Sequence, residues 1–195
     1  MIIDQFLQKS ERFFEKPLDK LPKVCYNKVY PKERKRGNTE MNKIKMICFD
    51  MDGTIADLYN VKDWLYMIEA ENATPYKIAE PMWNMVEMRN LLLQIKNKGI
   101  EVRIITWLAP NSTDVYVRET RAAKKEWLAR YNFPYDHFHG LEYGTKKINP
   151  IKKYLAENET AILFDDSEIV RNAWNVGATF NPQNENILEI LKSLI

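Results

Sequence analysis

Short apolar runs alternate with longer amphipathic stretches from residue 44 to the end of the chain. The runs have the length and composition of buried strands, and they lie at residues 46–49, 100–105, 135–141, 161–164 and 178–180. Apolar positions at helical spacing predict helices at residues 81–98, 115–131, 150–157, 168–177 and 187–194. Strands that alternate with helices are typical of an α/β fold in which helices cover both faces of a parallel sheet.

The first forty residues have a different pattern. Apolar residues between positions 2 and 14 predict a short amphipathic helix, and prolines then interrupt regular structure. A basic cluster follows at residues 32–36 and has two interpretations, a solvated linker or an arm that contacts phosphates. The linker is favoured. We therefore expect an N-terminal extension at residues 1–40 and a folded domain at residues 41–195.

Composition and charge narrow the class of protein. A chain of 195 residues with 45% hydrophobic and 12% aromatic residues can bury one full core, which excludes a disordered protein. Its 29 basic and 27 acidic residues leave a net charge of only +2, so no strong overall field recruits nucleic acid. The two cysteines cannot form a disulfide framework. No apolar run approaches the roughly 20 residues of a membrane span, and the first residues lack the apolar core of a signal peptide. We expect a cytoplasmic protein without membrane partners, and the residues do not indicate its oligomeric state.

Polar residues follow three of the predicted strands. Asp50 and Asp52 follow the first, Thr106 follows the second, and Asp165 and Asp166 follow a later one. Ligands of an open parallel sheet bind outside the carboxyl ends of its strands, where strand order reverses. Four carboxylates in one crevice repel each other unless a divalent cation neutralises them, and oxygen ligands favour Mg²⁺. The sequence therefore predicts a magnesium site that acts on a phosphate.

The spacing of Asp50 and Asp52 suggests that the two aspartates have different chemical roles. Asp50 and Asp52 are two residues apart, so in a regular strand their side chains share one face. Gly53 then lets the chain turn sharply away from the sheet. One carboxylate can act as a nucleophile while the other donates and accepts protons.

A cation is also needed beside the nucleophile and the phosphate. Lys147, with Lys146 as the alternative, precedes the last acidic strand and could reach the same crevice. Lys124 and Lys125 lie well inside the helix after the second strand, and we expect them to be solvated at the surface. Thr106 offers its hydroxyl and a nearby backbone N–H to phosphate oxygens.

These residues together resemble the haloacid dehalogenase superfamily of phosphohydrolases. Asp50-Met51-Asp52-Gly53-Thr54 matches the DxDGT signature after an apolar strand. The three other motifs follow in order over residues 41–195: a strand that ends in Thr106, a lysine at Lys147, and a strand that ends in Asp165-Asp166. The resemblance implies a Rossmann-like, three-layer α/β/α core with a parallel sheet. A very small helical cap is expected at about residues 58–80.

The resemblance also implies a mechanism. Asp50 would attack phosphorus and form an aspartyl-phosphate, and Asp52 would act as general acid and then general base. Thr106 and the lysine would bind the phosphoryl group. The expected Mg²⁺ ligands are Asp50, the backbone carbonyl of Asp52, Asp165 and Asp166. The dehalogenase branch lacks the second aspartate, so Asp52 favours a phosphatase.

A looser resemblance concerns the substrate. Within the superfamily, the chain is most similar to the 5′(3′)-deoxyribonucleotidase-like group, although Trp107 stands where that group has a serine. The candidate substrate contacts are Gly53, Thr54, Tyr59 and Trp107. Tyr59 could stack on a base or pack the cap onto the core, whereas Trp64 is expected to pack.

Three classes of function follow. The favoured one is hydrolysis of a small phosphoester, such as a nucleotide. The first alternative is a 3′-phosphatase for nucleic-acid ends, which the basic cluster at residues 32–36 would support. The second is a non-catalytic interaction module with the same fold, and the clustered charge of the intact motifs argues against it.

Overall fold

The computed structural model of the protein describes residues 43–195. The extension predicted at residues 1–40, including its helix and its basic cluster, lies outside the described residues.

Within residues 43–195, seven strands form two sheets. The strands are β1 (Lys43–Phe49), β2 (Ala56–Asp57), β3 (Glu80–Pro81), β4 (Glu101–Trp107), β5 (His137–Leu141), β6 (Glu159–Phe164) and β7 (Thr179–Phe180). The main sheet is parallel and has the order β5-β4-β1-β6-β7. β2 and β3 form a small antiparallel pair. The five strands predicted from the sequence are thereby confirmed, with small differences at their ends.

In this described part of the chain, six α-helices connect or follow the strands. They are α1 (Trp64–Glu69), α2 (Thr74–Ile78), α3 (Met85–Asn97), α4 (Asp114–Arg130), α5 (Glu168–Asn172) and α6 (Ile187–Lys192). Two short 3₁₀ helices lie at Leu58–Asn60 and Lys152–Tyr154. Among residues 43–195, no helix has the length and apolar character that crossing a membrane requires.

Side chains of the sheet alternate between two apolar faces. On one face, Ile47 and Phe49 of β1 pack with residues of α3, α4 and α6. On the other face, Met46 and Cys48 pack with residues that include Val170 of α5. The architecture is therefore an α/β, Rossmann-like fold with helical layers on both sides of a parallel sheet, as the sequence predicts.

Strand register brings the functional edge together. Phe49 of β1 lies opposite Ile104 of β4 and opposite Phe164 of β6. The residues that follow these positions consequently emerge at one edge of the sheet. The chain runs from β1 outward through β4 to β5 and then crosses to β6 on the other side of β1. This reversal of strand order between β1 and β6 is where ligands of such sheets bind.

Three helix boundaries differ from the sequence prediction. The helix expected from residue 81 begins at Met85, because the Asn84 side chain accepts hydrogen bonds from the backbone N–H groups of Val86 and Glu87. The helix expected at residues 150–157 is only a 3₁₀ turn. Ile151 is the one buried residue of that stretch, so a longer helix would have no apolar face to bury. The helix expected to reach residue 177 ends at Asn172.

The segment that follows β2 and reaches the first residue of β3, residues 58–80, is named here the helical insert. It contains a 3₁₀ turn with α1 and α2, and it shares a third apolar cluster with Tyr116 and Ala123 of α4. Hydrogen bonds reinforce this contact: Trp127 Nε1 donates to the Ala79 carbonyl at 2.6 Å, and Arg130 donates to the Lys77 carbonyl at 2.7 Å. The insert thereby fixes the position of α4 above the edge of the sheet.

Candidate active site

Three buried carboxylates meet where β1 and β6 end. Asp50 follows β1, and Asp165 and Asp166 follow β6. The Asp50 N–H donates to the Phe164 carbonyl at 2.9 Å, which holds the two strand ends together. One carboxylate oxygen from each aspartate lies within 4.8 Å of the others. The cluster could therefore hold a metal ion.

The donor set suits a hard divalent cation. All three side chains offer oxygen, and each is at most 8% exposed. Asp50 Oδ1 is buried and accepts no hydrogen bond from any residue in the part of the chain that the structure describes. A buried carboxylate oxygen without a donor is costly. A cation bound between the three carboxylates would remove that cost.

Lys147 lies between two of these carboxylates. Its Nζ is 2.8 Å from Asp50 Oδ2 and 2.7 Å from Asp165 Oδ2, and the lysine is only 3% exposed. Lys146 also lines the cavity, but it is exposed and makes no ion pair among residues 43–195. Of the two lysines that the sequence leaves open, the geometry therefore favours Lys147.

The carboxylates of the cluster differ in their pKa values. Burial opposes the ionisation of Asp50, but the charges of Lys147 and Lys124 outweigh it, and its pKa lies below the usual value. Burial raises the pKa of Asp165 to about 7; Lys147 partly offsets this effect, and the neighbouring charge of Asp50 adds to it. Asp50 is thus ionised at neutral pH, as a nucleophile must be.

Asp52 occupies a tight turn beside this cluster. It forms an isolated bridge with Ala56, and Gly53 adopts φ +69°, a conformation that favours glycine. The Asp52 side chain is 21% exposed, and its Oδ2 accepts a hydrogen bond from Lys124 at 2.5 Å. Burial raises the pKa of Asp52; Lys124 opposes this effect, and the charge of Asp50 adds to it. The pKa values of the two aspartates of the DxDGT motif are therefore shifted in opposite directions: that of Asp50 is lowered and that of Asp52 is raised.

Lys124 is the functional candidate that the sequence reasoning missed. The prediction that it is solvated is wrong: it is fully buried, and its Nζ donates to Asp52, Thr106 Oγ1 at 2.8 Å and the Trp107 carbonyl at 2.9 Å. A helical spacing could have found it. The lysine belongs to the buried stripe of α4, which also contains Tyr116, Thr120, Ala123 and Trp127.

Thr106 and Trp107 end β4 beside the two lysines. Thr106 is fully buried, and its hydroxyl oxygen accepts from Lys124. The Trp107 indole is fixed, since Nε1 donates to the Thr145 carbonyl at 2.8 Å. Lys147 Nζ lies 4.8 Å from the centroid of the Trp107 ring, and the Tyr143 ring lies 4.9 Å from it. The tryptophan that replaces the expected serine is therefore part of the lysine environment.

The other candidate substrate contacts differ in their position relative to the cavity beside these groups. A side chain at Gly53 would collide with the Tyr59 ring and approach Asp166 Oδ2 to 2.9 Å, so the turn needs glycine. Thr54 is fully buried and is absent from the cavity wall, which leaves its side chain no contact with a ligand there. Tyr59 lines the cavity. Trp64 is 8% exposed and packs in the apolar cluster of the insert, as expected.

A cavity of about 630 Å³ opens over these groups. Asp50, Asp52, Lys147 and Asp166 lie in its wall. Aromatic rings and polar side chains complete the wall; they include Tyr59, Tyr76, Trp107, Tyr143, Arg171, Asn181 and Gln183. A cavity of this size accommodates a small organic ligand and not only an inorganic ion.

Comparisons with known proteins support the fold. No protein-family model and no curated protein matches this sequence. A solved structure of the Pnkp1/Rnl/Hen1 RNA repair complex matches with a TM-score of 0.50 and 18% identity, over 92% of this chain and 53% of that chain. A second structure of a Pnkp1/Rnl/Hen1 complex gives a TM-score of 0.47 and 17% identity, over 87% of this chain and 54% of that chain.

A third match is a haloacid dehalogenase-like family hydrolase from Streptococcus pneumoniae. Its TM-score is 0.46 and its identity is 12%, over 80% of this chain and 100% of that chain. The present chain spans only about half the length of the chains that it matches in the RNA repair complexes. At these identities the likeness concerns the fold.

Proposed function

We propose that the protein is a phosphatase, a Mg²⁺-dependent phosphomonoester hydrolase of the haloacid dehalogenase type. The observation that carries the proposal is the separate pairing of two neighbouring aspartates. Lys147 contacts Asp50, whose pKa is lowered, and Lys124 contacts Asp52, whose pKa is raised. A carboxylate whose pKa is lowered beside another whose pKa is raised is the arrangement that a nucleophile and a general acid need.

The carboxylate cluster would hold the metal. Asp50, Asp165 and Asp166 are its side-chain ligands in this proposal, with the backbone carbonyl of Asp52 as a further ligand. When bound, Mg²⁺ supplies positive charge that offsets the carboxylates and polarises the phosphoryl oxygens.

The chain's own residues would carry the reaction. An Asp50 oxygen attacks phosphorus and forms an aspartyl-phosphate, while Asp52 donates its proton to the departing oxygen of the substrate. Asp52 then accepts a proton from water, which attacks the aspartyl-phosphate and releases inorganic phosphate and free Asp50. Lys147 binds the phosphoryl oxygens throughout, whereas the Thr106 side chain is fully buried, is absent from the cavity wall and holds Lys124. These are positioning and charge-stabilising roles, which phosphoryl transfer chiefly requires.

The proposed substrate is a small phosphoester, and a nucleotide is the favoured class. The cavity has room for a nucleoside, and Tyr59, Trp107 and Tyr143 line it with aromatic rings. Aromatic rings stack on bases with little sequence preference. In this proposal residues 41–195 form the hydrolase core, the helical insert at residues 58–80 acts as its very small cap, and the protein acts in the cytoplasm.

A 3′-phosphatase acting on nucleic-acid ends is the second candidate. Two observations favour it: the basic cluster at residues 32–36, and the likeness in fold to a chain of an RNA repair complex. A non-catalytic interaction module is the third candidate. It gives no reason for burying two lysines and three carboxylates beside one cavity, because such burial is costly.

Release of inorganic phosphate tests the proposal. The substrates are nucleoside 5′- and 3′-monophosphates, sugar phosphates, 3′-phosphorylated oligonucleotides and an aryl phosphate, each with Mg²⁺ or with EDTA. We expect release from mononucleotides with Mg²⁺ and none with EDTA, and a loss of roughly 10³-fold or more in Asp50→Asn. Preference for oligonucleotide ends would favour the second candidate. If the folded protein with Mg²⁺ released no phosphate from any of these substrates, the result would contradict the proposal.

A further inference from the structure

Lys124 is a buried charge for which the proposed reaction has no stated role. It lies in the middle of α4, and its side chain is 1% exposed. A lysine ammonium has three N–H donors and no acceptor. Asp52 Oδ2, Thr106 Oγ1 and the Trp107 carbonyl take up all three donors at 2.5, 2.8 and 2.9 Å. The Tyr76 ring, whose centroid is 4.8 Å from Nζ, covers the same group.

The bond to Asp52 fixes one of its two carboxyl oxygens. Oδ2 is held by Lys124, and the Asp52 side chain keeps 21% of its surface exposed in the wall of the cavity. Oδ1 takes part in no hydrogen bond with the residues that the structure describes. Rotation of the carboxyl group is therefore restricted, and Oδ1 is the oxygen left to meet the leaving group.

The bond to Thr106 determines which way its hydroxyl hydrogen can go. Because Lys124 only donates, Thr106 Oγ1 must be the acceptor in this contact. The hydroxyl hydrogen must then find another partner. The Trp107 carbonyl, 3.4 Å from Oγ1, takes this hydrogen in a long hydrogen bond and also accepts from Lys124 at 2.9 Å. Thr106 is fully buried and absent from the cavity wall, so its hydroxyl ties Lys124 to the end of β4 and does not contact a ligand.

We propose that Lys124 is a positioning residue: anchored on Thr106 Oγ1 and the Trp107 carbonyl at the end of β4, it orients the Asp52 carboxyl group for phosphoryl transfer. This inference rests on the proposed function. It distinguishes Lys124 from a lysine that only fills the core, because a core lysine would support the fold without favouring one leaving group over another.

The kinetic test compares two leaving groups. An alkyl phosphate, such as a nucleoside 5′-monophosphate, needs a proton on its departing oxygen, whereas a p-nitrophenyl phosphate releases a stable phenolate. The measured quantity is kcat/KM, which reports formation of the aspartyl-phosphate and not its later hydrolysis. We expect Lys124→Met to lower kcat/KM for the nucleotide by about 10²-fold or more. The fold-decrease in kcat/KM for the aryl phosphate should be smaller than this by a factor of at least about ten.

Two variants serve as controls. Lys125→Met removes the exposed neighbouring lysine of the same helix and should leave both activities unchanged. Lys124→Arg keeps a cation and several donors, and it should recover part of the preference for the nucleotide. An equal loss on both substrates in Lys124→Met, or no loss at all, would overturn the inference.

Binding of inorganic phosphate separates this inference from the proposed function. By calorimetry with Mg²⁺ present, Lys124→Met should bind phosphate about tenfold or more weakly than wild type, because the Asp52 carboxyl group in the cavity wall is no longer held in place. Lys125→Met should bind as wild type does. If no phosphoester is hydrolysed but this difference appears, the proposed function fails and the positioning role stands. Equal binding by all three proteins overturns the positioning role whatever the activity.

A wild-type measurement covers the case in which Lys124→Met does not fold. The Lys124 ammonium group should give a resolved ¹H–¹⁵N NMR correlation, because its three hydrogen bonds slow exchange with water. That signal should shift in Asp52→Asn and persist in the Lys125→Met control. A Lys124 ammonium that exchanges as rapidly as those of exposed lysines would overturn the inference.

Discussion

Two lysines are buried at the same edge of the sheet, and they reach it from different parts of the chain. Lys147 comes from the loop before β6 and contacts two carboxylates, Asp50 and Asp165. Lys124 comes from the middle of α4 and contacts one carboxylate, one hydroxyl and one carbonyl oxygen. The first lysine therefore balances charge within the carboxylate cluster. The second connects three groups of different chemistry.

The two environments also differ in their access to water. Asp50 and Asp165 are 9% and 0% exposed in their side chains, whereas Asp52 is 21% exposed. A buried charge that loses its ion-pair partner cannot be hydrated, whereas a partly exposed charge can. The acidic partners of Lys147 raise its pKa further above the ordinary value, against the opposing effect of burial. Loss of Lys147 should thus be felt more strongly than loss of Lys124.

The largest effect is expected from Lys147→Met. This change leaves the buried carboxylates of Asp50 and Asp165 without their cation, which should lower the free energy of unfolding by about 3–5 kcal/mol. Urea denaturation in EDTA measures it, with the exposed Lys146→Met as the matched control for stability. A Lys147→Met protein that unfolds at the same urea concentration as Lys146→Met would contradict this account of the cluster.

A smaller effect is expected from Lys124→Met. Its removal leaves Asp52, which water can reach, and should lower the free energy of unfolding by about 1–3 kcal/mol in the same urea experiment. Lys125→Met should match wild type because that lysine is exposed. If Lys124→Met proved as destabilising as Lys147→Met, the difference between the two sites would be lost.

A third change tests the support of α4. Glu71 of the helical insert accepts hydrogen bonds from the Thr113 N–H at 2.7 Å and from the Thr113 hydroxyl at 2.8 Å, at the start of α4. Glu71→Ala should lower the free energy of unfolding by about 1 kcal/mol. The exposed Glu69→Ala is its control in thermal or urea unfolding. Equal stability of the two variants would show that this contact does not hold the insert on α4.

The smallest effect concerns Tyr116, a residue of α4 that packs against the insert. Burial raises the pKa of Tyr116 from 10.0 to about 12, and its hydroxyl donates to the Asn72 carbonyl at 3.3 Å. At neutral pH, Tyr116→Phe should lower the free energy of unfolding by about 0.5 kcal/mol.

The pH dependence of Tyr116 has a definite sign. The folded chain holds this proton more tightly than the unfolded chain, so the stabilisation is complete below pH 10 and is lost as the pH rises towards about 12. Unfolding followed across this range should show a shallower decline for Tyr116→Phe than for wild type. Identical declines in the two proteins would mean that Tyr116 ionises equally readily in the folded and unfolded chains.

Much of the candidate site could be predicted from the sequence, because parallel strands in register bring their carboxyl ends to one edge of the sheet. Asp50, Thr106 and Asp165 each follow an apolar run, and their juxtaposition follows from the fold class. Thr54 shows the limit of this reasoning. A motif position says that a residue lies in the turn, but only the packing shows that its side chain faces away from the cavity.

Lys124 shows a second limit. Lysines are almost never fully buried, so a lysine inside a helix is assigned to solvent by default. Which face of α4 meets the sheet edge depends on the helical insert, and those contacts join residues far apart in sequence. The stripe of buried residues on α4 includes Lys124, but the helical spacing alone does not predict that Asp52 lies opposite this lysine.

The most direct test of the central claim is the chemical state of Asp50 during turnover. The protein is mixed with Mg²⁺ and an aryl phosphate, quenched in acid, digested and analysed by mass spectrometry, for wild type, Asp50→Asn and Asp52→Asn. We predict one phosphoryl group on Asp50 in wild type, more of it in Asp52→Asn, where hydrolysis of the aspartyl-phosphate is slowed, and none in Asp50→Asn. Phosphate release by Asp50→Asn at the wild-type rate, with Asp50 of wild type never modified, would contradict the account.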